Sequence, residues 1–199
     1  MQAEIHVLQN VRLTDEEVLR AARLTDADED DQARALEMRD GICAAGRPKY
    51  LLGTAKVTAH GADWVELDGT RFRSAALAQA FGGLAEVYPY LATCGTEAAD
   101  WAKRLGDELE QYWANSLMYL LLRCAIRELD ERLAALMPGK KTERLVPGTI
   151  PDWTLYDQRD LFKLFGEENI GVTLRESCLM VPENTISGCA FPAPEGFSK

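Results

Sequence analysis

A chain of 199 residues, 47% apolar and 27% charged, has the composition of a globular protein and the length of one compact domain. Its formal net charge of −10 argues against nucleic acid, whose phosphates demand Lys and Arg, and against an anionic membrane surface. The start, Met1-Gln2-Ala3-Glu4, lacks a secretory signal's basic residues. The most apolar run, Leu117 to Leu122, is too short to cross a bilayer, so the expected location is cytoplasmic.

Two helices are expected first. Thr14 with Glu17 forms a capping box ahead of Val18, Leu19 and Leu24. The acidic cluster Asp26, Asp28, Glu29, Asp30 and Asp31 then suits the start of a second helix, where the macrodipole favours negative charge. A strand follows over Tyr50 to Val57. Trp64 to Leu67 and Arg71 to Arg73 form a hairpin about Asp68-Gly69. Ser74 caps a short helix that Gly82-Gly83 ends, and Glu86 to Ala92 reads as a further strand. From Glu97 to Met137 the spacing of Leu109, Trp113, Leu117, Leu120, Leu121, Cys124 and Leu129 is helical, with a break near Gly106 and a stop at Pro138-Gly139. Thr154 and Asp157 cap a short helix bearing Leu161, Phe162, Leu164 and Phe165. Two short strands follow, around Cys178 to Val181 and Ser187 to Phe191, before a frayed tail from Pro192 to Gly196.

Candidate chemistry concentrates between Arg144 and Phe191. Arg144 offers a planar, permanently charged fork suited to a carboxylate. Pro147 stiffens the loop, and Gly148 allows a backbone conformation closed to other residues and a close approach by a ligand. Read from these residues alone, the favoured reading is a surface loop whose Arg144 pairs with Glu143 or Asp152, with the ligand clamp as the alternative. The five cysteines, an odd number without a C-x-x-C pair, read as small buried residues. Cys178 and Cys189 fall on neighbouring expected strands, where a facing redox pair is the alternative. His60 reads as a turn residue. Glu176-Ser177 has no His placed to complete a hydrolase triad, so no catalytic or metal-binding residue is assigned.

The ordered series Arg144-Leu145-Val146-Pro147-Gly148-Thr149, Asp152-Trp153, Leu155-x-x-Gln158, Leu174-Arg175-Glu176-Ser177, Met180-x-Pro182 and Ser187-Gly188 resembles the activation domain of cobalamin-dependent methionine synthase and its free-standing relatives. The order of elements is similar from about Thr14 onward, including the A-T-x-G stretch Ala92 to Gly95. The resemblance implies an α+β fold with a curved antiparallel sheet and helices, over residues 1–199 as one domain with an ordered core of about 14–192. It implies S-adenosylmethionine as ligand, held by Arg144, Val146, Gly148 and Thr149. It implies a cobalamin or other corrinoid carried by a partner methyltransferase, with a flavodoxin-like or other electron donor. The chain would then be an accessory module supporting reductive remethylation. The alternative is a corrinoid-protein docking or chaperone module that has lost S-adenosylmethionine. Two departures bear on that choice. Thr149 stands where the family has Tyr, and Arg127, with Glu128 beside it, stands where the family has an acid on the long helix.

Overall fold

The computed structural model describes residues 1–193. Its elements in chain order are β1 (Gln2–Val7), α1 (Asp15–Ala22), α2 (Glu29–Ala45), β2 (Lys49–His60), β3 (Trp64–Leu67), β4 (Thr70–Arg73), α3 (Ala75–Phe81), β5 (Glu86–Thr93), α4 (Thr96–Ala102), α5 (Glu108–Leu136), β6 (Thr142–Leu145), α6 (Gln158–Phe165), β7 (Thr173–Leu174), β8 (Met180–Val181) and β9 (Thr185–Pro192). The class is α+β. An antiparallel sheet runs β4-β3-β2-β5-β9-β6, with β1 added to β2, and β7 and β8 form a separate hairpin.

Strand β2 organises the sheet. One side pairs with β5 from Lys49 to Lys56. The other side takes β1 up to Thr54 and then β3 from Val57, with a register shift between Val57 and Ala59 within that second pairing. The bulge keeps β2 paired with β3 as far as His60, so His60 closes a strand rather than sitting in a turn.

The two sheet faces are covered by different helices. Tyr50, Leu52, Tyr90 and Ala190 point toward α1, α2, α4 and α5, packing with Val18, Ile42, Leu117, Leu121 and Leu129. Leu51, Val87, Leu91, Leu145 and Phe191 point the other way, toward α3 and α6, packing with Phe81, Trp153, Leu161 and Phe165. The alternation Tyr50, Leu51, Leu52 thus divides between both cores, as expected of a strand buried on both faces.

Local signals set the helix starts. Glu17 N–H donates to Thr14 Oγ1 at 3.2 Å, and Thr14 N–H donates to Glu17 Oε2 at 2.9 Å. These bonds hold the Glu17 carboxyl below its ordinary range. Asp28 caps α2 through Asp31 N–H at 2.9 Å, which accounts for the acidic cluster as a solvated helix start. The expected break in the long helix falls between Ala102 and Glu108, where Asp107 caps α5 through Leu109 and Glu110.

Three expectations are corrected. Strand β1 was not expected, and neither was β6, which turns the first half of the Arg144 loop into an edge strand on β9. The strand expected at Cys178 is only Met180–Val181, because Cys178 itself lies in a turn at φ 63°. Cys178 and Cys189 therefore do not share neighbouring strands: β9 pairs with β5 and β6, and β8 pairs with β7. The expected frayed tail lies, from Pro194 onward, outside the described residues.

Candidate functional site

Arg144 stands on β6 opposite Ala190 of β9. Its side chain lies on the α5 face of the sheet. There the guanidinium pairs with the Asp130 carboxylate on α5 and sits over the Tyr90 ring, 5.4 Å from its centroid. The partner is thus neither Glu143 nor Asp152. Tyr90 is fully buried on β5 and faces Gly188 of β9 across the ladder. A Cβ on Gly188 would fall 2.6 Å from the Leu145 carbonyl and 2.7 Å from Tyr90 Oη. Gly188 is therefore what lets the Tyr90 ring cross β9 and reach β6. Among the described residues Tyr90 Oη has no hydrogen-bond partner, and burial pushes its pKa up to about 12 despite the nearby Arg144 charge.

Beyond Arg144 the chain makes a turn closed on itself. Thr149 N–H donates to the Val146 carbonyl at 3.1 Å and Thr149 Oγ1 donates to the same oxygen at 2.7 Å. With Pro147 at its second position and Gly148 at φ 85°, this is a type II turn, the arrangement that needs glycine at the third position. Gly148 N–H reaches back to the Trp153 carbonyl at 2.7 Å. The Thr149 hydroxyl thus closes the turn and does not extend outward as a tyrosine would. Both lone pairs of the Val146 carbonyl are occupied within the turn.

The rest of the motif anchors this turn. Trp153 is buried against α3 and α6, while Asp152 accepts from Ala76 N–H at 3.1 Å at the start of α3. Burial works to raise the Asp152 pKa, but hydrogen bonds from Ala76, Ser74 and Ala75 outweigh it and hold the carboxyl low. Gln158 is buried; its Nε2 donates to the Cys178 carbonyl at 2.9 Å and its Oε1 accepts from Ser187 Oγ at 2.9 Å. A single amide therefore ties α6 to β9 and to the turn before β8. Leu155, which lies against Gly148, is 38% exposed, Tyr156 next to it in the chain is 65% exposed and Leu179 is 50% exposed, beside the exposed polar residues Thr149, Asp152 and Thr154.

Of the four expected ligand residues, Arg144 lies apart from the closed turn formed by Val146, Gly148 and Thr149, joined to it through Leu145. Asp130 was missed. It follows Arg127 by three residues on α5, and only the observed helix phase shows that it, not Arg127, meets Arg144. Asp130 also lines a cavity of about 550 Å³ between α1 and α5, together with Glu17, Arg123 and Arg127. The thiols are free. Burial pushes Cys94 up to about 12 and raises Cys189 further still. Among the described residues no helix is long and apolar enough to cross a membrane.

No family model matches the chain, and no curated protein matches it by sequence. A solved structure does match by fold: the crystal structure of the MetH reactivation domain bound to AdoHcy, with a TM-score of 0.68 at 15% sequence identity, covering 100% of this chain and 81% of that one. The chain has the fold of that reactivation domain.

Proposed function

We propose that this chain is a reactivation module for a corrinoid-dependent methyltransferase of the methionine synthase kind. In this reading it binds S-adenosylmethionine and presents it to the corrinoid domain of its partner. The observation that carries the reading is the Arg144–Asp130 pair on a fold shared with the MetH reactivation domain. An amino acid's α-carboxylate and α-ammonium need one cation and one anion side by side, and Arg144 and Asp130 supply them. Asp130 thereby answers the departure at Arg127, because the acid on the long helix stands one turn further along.

In the proposed complex Arg144 takes the carboxylate of the ligand and Asp130 its ammonium. Val146, Gly148 and Thr149 offer the backbone edge beside it. The Val146 carbonyl and Thr149 hydroxyl already bond each other, so contacts from these residues come through their remaining atoms. The partner's corrinoid would supply the cobalt chemistry, with the ligand's sulfonium as methyl source and a flavodoxin-like or other donor as electron source. This chain binds, orients and docks. Leu155, Tyr156 and Leu179 are the exposed apolar residues on which the partner would seat.

A second reading, a docking module without S-adenosylmethionine, draws support from the closed turn and from an Arg144 already answered by Asp130. Calorimetric titration with S-adenosylmethionine separates the two. Binding that weakens by roughly 2–4 kcal/mol in Arg144→Ala supports the first. Equal affinity in wild type and variant sinks the role of Arg144, and absence of binding leaves the docking reading.

A further inference from the structure

We infer that the groove across α5, on either side of Arg127, is a binding site for a phosphate-bearing small molecule with an apolar or flat body. Two cavities meet there, one of about 550 Å³ against α1 and one of about 610 Å³ against residues 6–12. Arg127 and Cys124 line both, so Arg127 forms their common wall. Arg123 adds a second guanidinium from the preceding helical turn, and Arg12 a third from the opposite rim.

The balance of charge argues for an anion. On the first cavity Asp130 holds Arg144, and Glu17 accepts from Thr14 while its charge also faces Arg127. Arg20 pairs with Glu16. Glu128, on the second cavity, pairs with no cation among the described residues. Arg12 and Arg123 likewise make no ion pair there, and the one hydrogen bond of Arg127 is a long contact to Cys124 Sγ at 3.9 Å. In a chain of net charge −10, three guanidiniums line two adjoining cavities, and among the described residues none of them makes an ion pair with a carboxylate, Glu17 acting on Arg127 only through its charge. Arg123 and Arg127 are also four residues apart on one helix, a like-charge spacing that weakens a helix by roughly 0.2–0.5 kcal/mol. That spacing has a use if both forks converge on an anion.

The identity of the cations narrows the class. Every fixed cation lining the two cavities is an arginine, whose planar fork takes phosphate oxygens in pairs; none is a lysine. Leu13, Tyr119 and Leu120 give the first cavity an apolar wall, which suits a ligand with a ring or alkyl body beside its phosphate. The groove adjoins the Arg144–Asp130 pair, since Asp130 lines the first cavity, but the cations that would take the phosphate are Arg12, Arg123 and Arg127.

The test is calorimetric titration of the full chain with ADP, inorganic pyrophosphate and adenosine. ADP is expected to bind best and pyrophosphate more weakly, with adenosine giving no measurable heat. Arg127→Gln and Arg123→Gln should each lower ADP affinity at least tenfold, and rising salt should lower it in wild type. Arg12→Gln should lower ADP affinity while leaving S-adenosylmethionine affinity unchanged, which separates this site from the proposed S-adenosylmethionine site. Should Arg127→Gln fail to fold, Arg12→Gln on the opposite rim reads the same affinity. No binding of ADP at millimolar concentration, or affinity unchanged in the arginine variants, overturns the inference. Pyrophosphate binding as tightly as ADP overturns the apolar part of the ligand class.

Discussion

The Val146–Thr149 turn and the arginine groove are built on opposite terms. In the turn, polar groups answer one another: Thr149 closes on Val146, Gly148 on Trp153, and Arg144 just before it on Asp130. In the groove, Arg12 and Arg123 make no ion pair with a carboxylate among the described residues. The contrast separates two uses of polarity. Groups satisfied internally set the shape of a backbone, and substitutions there register first in stability. Groups left unanswered add little to stability, and substitutions there register in binding.

Three substitutions, in descending order of expected effect, would break or sharpen that division. Gly188→Ala places a methyl group against the Leu145 carbonyl and the Tyr90 ring, neither of which is a free end. It should cost about 1–3 kcal/mol in chemical denaturation and displace the ring beneath Arg144. Unchanged stability would show that Tyr90 does not depend on this close approach.

Asp152→Asn should cost about 0.3–1 kcal/mol at neutral pH, at the low end because the side chain is exposed. The folded Asp152 pKa lies below its unfolded value, so the ionised carboxylate contributes stability above about pH 4. That contribution is lost as pH falls through the folded pKa. The gap between wild type and Asp152→Asn should therefore close on acidification, and a gap that widens would contradict the hydrogen-bonded carboxylate.

Arg127→Gln should alter stability by no more than about 0.5 kcal/mol in the same assay. A large loss would mean that Arg127 is answered within the fold after all, and would erase the contrast with the turn.

The sequence made much of this legible where chemistry is local. The capping box at Thr14, the Asp28 cap, the Asp68-Gly69 hairpin and the glycine of the Val146–Thr149 turn each depend on residues a few positions apart. What escaped depends on distant partners. In β1, Ala3, Ile5 and Val7 alternate with Gln2, Glu4 and His6, but in so short a run that the strand is established only by pairing with β2 some 45 residues on. Thr142 to Leu145 is half charged and reads as loop; β9 makes it a strand. Asp130 could be seen as an acid on a helix, but its pairing with Arg144 requires knowing which way a turn of α5 points over the sheet.

Helix α5 has one more consequence, a mechanical one. Its 29 residues form a rod about 44 Å long. Near one end Asn115 accepts from Asn184 at 2.8 Å, just before β9. Further along it carries Arg123 and Arg127, and then Asp130 against β6. A rod whose inner face is locked by Leu117, Leu121 and Leu129 does not bend locally to suit one occupant. A push at the arginine groove would shift the rod as a whole, carrying Asp130 relative to Arg144 and straining the Asn115–Asn184 clasp at its far end.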